Sequence, residues 1–195
     1  MGCAQSTSVS RKALSRSKDS LLLNNEKRLQ HAHILNHPEC SPGQVSTQVL
    51  SEALENLDAS EMVILDATVK PDGDAYGDYV NEHIPGARYL DLTLVRDMAS
   101  PYPFMMPKEA DFVKMMKAMD IRKSQLVIIY ETGKGWFATR AAFMMRAFGH
   151  PKVLVLDGQF AKWKAEGRPT ESAVAALAQD DFDYALDREM VANYD

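Results

Sequence analysis

Along the chain, short runs of consecutive apolar residues alternate with stretches in which apolar residues recur every three or four positions. The runs fall at 62–67 (MVILDA), 87–92 (ARYLDL), 126–130 (LVIIY) and 153–156 (VLVL). They are too short for helices and rich in strand-forming residues, so each predicts a strand. Helical spacing occurs at 45–57, where Val45, Val49, Leu50, Ala53, Leu54 and Leu57 share a face and Ser46 is placed to cap, and again at 108–119, 136–148 and 160–166. A brief helical turn is expected at 78–83 and a last strand at 182–186. Residues 100–107 (SPYPFMMP) contain three prolines and predict irregular structure. Strands alternating with helices in short pieces imply an α/β fold, with a central mostly parallel sheet of four to five strands and helices on both faces.

The first 40 residues break this pattern. They are rich in Ser, Asn, Lys and Arg and nearly free of aromatics, which predicts a mobile basic tail. The domain proper is expected over 41–170, with 171–195 a linker and the start of an incomplete following segment. The tail opens Met-Gly-Cys-Ala-Gln-Ser, which fits the N-myristoylation pattern at Gly2, with Cys3 placed for a second acyl chain. Two chains, or one chain beside a basic patch, give stable anchoring, so peripheral membrane contact through the N-terminus is expected. The alternative for an Arg- and Ser-rich start is a mitochondrial transit signal. Without import, the expected location is cytoplasmic, at a membrane when acylated.

Composition removes several function classes. A net charge of −5 speaks against general nucleic-acid binding. Two cysteines, Cys3 and Cys40, make neither a disulfide framework nor a CxxC pair and suit a reducing compartment. The five histidines have no zinc spacing, and no metal or other cofactor is expected.

The most informative stretch is 126–150, where the strand LVIIY feeds a helix through Glu131, Thr132, Gly133, Lys134 and Gly135. In parallel sheets ligands collect at the carboxyl ends of strands, and a glycine loop before a helix points backbone N–H groups and a positive helix end at one spot. Gly133, Lys134 and Gly135 are therefore candidates for an anion loop. An ordinary strand-to-helix turn would have the same sequence character.

The motifs VILDA (63–67), HIPGARYLDL (83–92), SPYPFMMP (100–107), LVIIY (126–130), RAFGH (146–150) and VLVLDGQFAKW (153–163) stand in one order over about 45–170. In that order the chain resembles the N-terminal half of the two-domain rhodanese-like sulfurtransferases, the thiosulfate and 3-mercaptopyruvate enzymes. HIPGA and the LDGG-like LDGQ with its following Trp are specific together. The resemblance implies a rhodanese fold and transfer of sulfane sulfur through a cysteine persulfide in the loop after the central strand. This chain places Thr132, or Glu131 with a one-residue slip, at the nucleophile position, and neither residue can carry a persulfide. Phosphatases of the same fold need the same cysteine, so Thr132 counts equally against that chemistry. The resemblance further implies that Asp74 and His83 line the cleft. It also implies that the working cysteine belongs to a second rhodanese domain, downstream in cis or supplied in trans, and that a small sulfur-donor anion is a candidate ligand. A stand-alone, non-catalytic scaffold module is the competing expectation.

Overall fold

The computed structural model describes residues 31–32, 34–38, 40–172, 174 and 189–190; Gly2, Cys3 and the strand expected at 182–186 lie outside them. The chain divides into two compact units between His37 and Pro38, and the sheet belongs to the second. Its strands are β1 (Gln44–Val45), β2 (Met62–Asp66), β3 (Ala87–Tyr89), β4 (Leu126–Tyr130) and β5 (Val153–Leu156). They lie in the order β1-β5-β4-β2-β3, and every pairing is parallel. The apolar runs therefore became strands, with β4 at the centre. The sequence pattern missed only β1, whose two residues fall where helical spacing was expected to begin.

Among the described residues, five helices connect or follow the strands: α1 (Thr47–Asn56), α2 (Ala75–Asn81), α3 (Glu109–Ala118), α4 (Trp136–Ala147) and α5 (Gln159–Ala165). Local chemistry sets their starts. Ser46 caps α1 by accepting a hydrogen bond from the Val49 amide at 3.2 Å. α2 begins earlier than its apolar spacing suggested because Asp74 caps it, accepting from the Gly77 amide at 2.7 Å. α3 follows Pro107 and carries Glu109 and Asp111 in its first turn, where the helix dipole favours acids. β3 stops at Tyr89 rather than running to Leu92, although Leu90 still donates its amide to the Asp66 carbonyl at 2.8 Å.

Every residue of β2, β4 and β5 is buried, as expected of parallel strands covered on both faces. Alternate residues Val63, Leu65, Val127, Ile129, Val153 and Val155 pack with Phe112 and Met116 of α3 and with Ala138, Ala142 and Met145 of α4. Phe112 and Phe148 stack at 4.0 Å between centroids in this layer. On the opposite face Tyr130 packs on Phe160 of α5 at 5.6 Å, and Thr47 of α1 donates to the Glu166 carboxylate at 2.6 Å. At about 25 cal/mol per Å² of buried apolar surface, these two layers supply the main drive to fold.

Candidate functional site

The carboxyl ends of β2, β4 and β5 bring together three connections: 66–68, 131–135 and 157–159. The first is anchored by Asp66, whose carboxylate accepts from the Thr68 amide at 2.9 Å and from the Thr68 hydroxyl. Burial raises the pKa of Asp66, and the two Thr68 hydrogen bonds pull against that rise. The Thr68 hydroxyl oxygen in turn accepts the Thr132 amide at 2.9 Å. Tyr130, at the end of β4, accepts the Ile84 amide on its hydroxyl at 3.2 Å, and burial pushes its pKa far up.

The loop after β4 is organised by Glu131. Its side chain is 2% exposed and folds back over the start of α4. One carboxylate oxygen accepts the Gly135 amide at 2.5 Å, and the other accepts the Phe137 and Ala138 amides at 2.7 and 3.1 Å. Of the three candidate anion-loop residues, Gly135 thus gives its amide to a carboxylate from the same loop, which also takes two amides of the α4 start. Gly135, the residue before the helix, has φ +89° and no side chain to contribute to capping. A Cβ at Gly133 would lie 2.8 Å from the Glu131 carboxylate, so the loop has little room for a larger residue there. Lys134 is exposed, with its ammonium 5.9 Å over the ring of Trp136, which is itself 72% exposed.

The expected site residues are distributed as follows. Glu131, Thr132, Gly133, Lys134 and Gly135 form one loop, with Thr132 half-buried beside Thr68. Asp74 is the cap of α2. His83 is completely buried and stacks on Tyr79 at 4.2 Å. Its Nδ1 lies 2.6 Å from the Tyr79 carbonyl, which can only accept, so this nitrogen carries the hydrogen. Its Nε2 faces Glu171 at 3.4 Å, close enough for an ion pair but not aligned as a hydrogen bond. His83 and Glu171 also exchange both backbone hydrogen bonds at 2.9 Å, and the Gly86 amide donates to the Glu171 carboxylate at 2.5 Å.

The sequence placed Glu131 at the nucleophile position under a one-residue slip and did not reveal its reach to three amides. An acid just ahead of a helix start was the available signal. Gln159 was also missed. Its side-chain oxygen accepts the Glu131 amide at 2.9 Å, and its amide nitrogen donates to the Leu156 carbonyl at 2.6 Å.

The 100–107 segment lies against α4, where Arg140 donates through Nε and Nη2 to the Phe104 carbonyl at 3.1 and 2.6 Å. Phe104 and Phe137 pack at 5.3 Å. Leu94, Met98, Tyr102 and Met105 on the 90–108 connection remain exposed. A cavity of about 500 Å³ opens between this connection and α3, lined by Leu94, Met98, Met115 and Met119 among others, and no residue of the β4 loop borders it. Among the described residues, no group of three His, Cys, Asp or Glu side chains is placed to hold a metal ion.

A five-stranded parallel α/β sheet with a glycine loop between its central strand and helix defines the class to which this domain belongs. Comparison with known proteins gives the family: residues 49–166 match the rhodanese-like domain. The chain belongs to the rhodanese-like family, as a rhodanese sulfurtransferase-like domain. It is 33% identical over 156 residues to the thiosulfate sulfurtransferase of Gallus gallus, covering 77% of this chain and 54% of that one. It is 32% identical over 141 residues to the 3-mercaptopyruvate sulfurtransferase of Escherichia coli K12, covering 70% and 50%. The crystal structure of the Escherichia coli 3-mercaptopyruvate sulfotransferase SseA superposes with a TM-score of 0.69 at 30% identity, over 74% of this chain and 55% of that one. The chain therefore spans about half the length of the curated relatives it matches.

Proposed function

We propose that this domain is the N-terminal, catalytically degenerate half of a thiosulfate- or 3-mercaptopyruvate-type sulfurtransferase. The sulfane sulfur is then carried by a cysteine of a second rhodanese domain, in cis downstream or in trans. The observation that carries this reading is the Glu131 carboxylate at the amides of Gly135, Phe137 and Ala138. A thiolate nucleophile draws its low pKa from such a helix end, and here the position is filled by an anion that cannot accept sulfur. Thr132, beside it, has a hydroxyl in place of a thiol. Cys40 precedes β1 at the sheet edge, and β5 separates β1 from β4. The apolar side chains left exposed at Leu94, Met98, Tyr102 and Trp136 give a second domain something to cover.

Turnover assays with thiosulfate and with 3-mercaptopyruvate test the reading. The 195-residue chain is expected to show no transfer above buffer. Transfer that survives Cys3→Ser with Cys40→Ser would overturn it.

A second reading, a membrane-anchored scaffold, is favoured by the Met-Gly-Cys-Ala-Gln-Ser start and the basic residues Arg11, Lys12, Arg16, Lys18, Lys27 and Arg28 behind it. A fluorescent fusion of residues 1–40 is expected at membranes and is expected to become diffuse with Gly2→Ala. Diffuse signal from the unmutated fusion removes this reading, and import into mitochondria replaces it with a transit signal.

A further inference from the structure

Gln159 stands in a backbone conformation that a residue with a side chain rarely adopts. Its φ is +56°, and it follows Gly158 at φ +75°. The motif here reads Leu156-Asp157-Gly158-Gln159, so a second glycine would meet the conformation without strain. What the glutamine brings instead is a bridge. Its side chain spans from the Leu156 carbonyl on β5 to the Glu131 amide on the β4 loop. The next residue, Phe160, donates its own amide to the Glu131 carbonyl at 3.2 Å, so both polar groups of the Glu131 main chain are held from the start of α5. The same side chain closes on the loop's last residue, because a Cβ built on Gly135 would sit 3.4 Å from the Gln159 amide nitrogen.

These contacts converge on one residue. With its main chain fixed, Glu131 projects its carboxylate onto the three amides of α4. We propose that Gln159 is a staple that holds the β4–α4 loop shut, in the arrangement where Glu131 occupies its own helix end. With the staple closed, the amides of Gly135, Phe137 and Ala138 are satisfied internally, and an external sulfur oxyanion must displace a tethered carboxylate to reach those three. This deepens the reading of a non-catalytic half and rests on it for its biological sense. Its test uses no turnover, so the two stand or fall separately.

The experiment is amide hydrogen exchange on the whole chain, comparing wild type with Gln159→Gly, a change that relieves the left-handed backbone while removing both side-chain bonds. Protection of the Gly135, Phe137 and Ala138 amides is expected to fall roughly tenfold, although none of them touches Gln159 through a hydrogen bond. Amides of Leu50 and Ala53 in α1 should not move, which separates loosening of the loop from general unfolding. A second arm adds Glu131→Ala. In that background Gln159→Gly is expected to change the three amides no further, because the staple acts through the carboxylate. Unchanged protection in the single variant, or an equal further loss in the double variant, would overturn the proposal.

Discussion

Two junctions of this domain share a backbone and differ in what closes them. β4 passes through Gly135 into α4, and β5 passes through Gly158 into α5; both glycines lie in the left-handed region and neither helix has a side-chain cap from that position. In the first, the helix end is closed by a carboxylate, with three amides on the Glu131 side chain. In the second, the Phe160 amide is met by a neutral carbonyl, and that carbonyl also belongs to Glu131. One residue therefore finishes two helices, one with its charge and the other with its main chain. Helix geometry alone does not decide whether such an end is open to a ligand; the occupant does.

The two junctions depend most on Glu131. Replacing it with Ala leaves the α4 amides without their charged acceptor but keeps the carbonyl that serves α5. The expected loss is about 2 kcal/mol, on the order of 6–10 °C in Tm, read by thermal unfolding. A loss below about 0.5 kcal/mol would mean that the carboxylate contributes nothing beyond what water supplies.

A smaller effect separates the roles of the two glycines from the roles of their occupants. Gly158→Ala places a Cβ 2.5 Å from that of Lys162 at φ +75°, whereas Gly135→Ala comes nearest to the Gln159 side chain, at 3.4 Å. Both variants bear the left-handed penalty of roughly 1–2 kcal/mol, and Gly158→Ala is expected to be the worse because a Cβ cannot swing aside as a side-chain tip can. The smallest effect is expected at Lys134, whose ammonium faces solvent over Trp136. Lys134→Ala should change stability by less than about 0.5 kcal/mol.

The sheet was legible because β2, β4 and β5 bury both faces and so read as unbroken apolar runs in the sequence. The helices were legible from spacing, except where a polar contact moved an end, as Asp74 did for α2. β1 was not, because two residues carry no period. The loop was located correctly from Gly133 and Gly135, since glycine between a strand and a helix has a local signature. Its occupant was not legible. Glu131 folds back onto Phe137 and Ala138 while its amide is held by Gln159, 28 residues away, and periodicity does not encode such a contact. His83 teaches the same point, since its partners Tyr79 and Glu171 lie on either side of it in sequence and only one is near.

The pairing of His83 with Glu171 fixes an address. The chain comes off α5, returns to the HIPG turn, and is tied there by two backbone hydrogen bonds and by the Gly86 amide, while Trp163 donates to the Pro169 carbonyl at 2.8 Å. The domain thus claims its own exit as far as Glu171. A second domain of the proposed kind, if in cis, would be tethered from Glu171 beside the HIPG turn rather than from the end of α5, which shortens the tether and raises its effective concentration against this one.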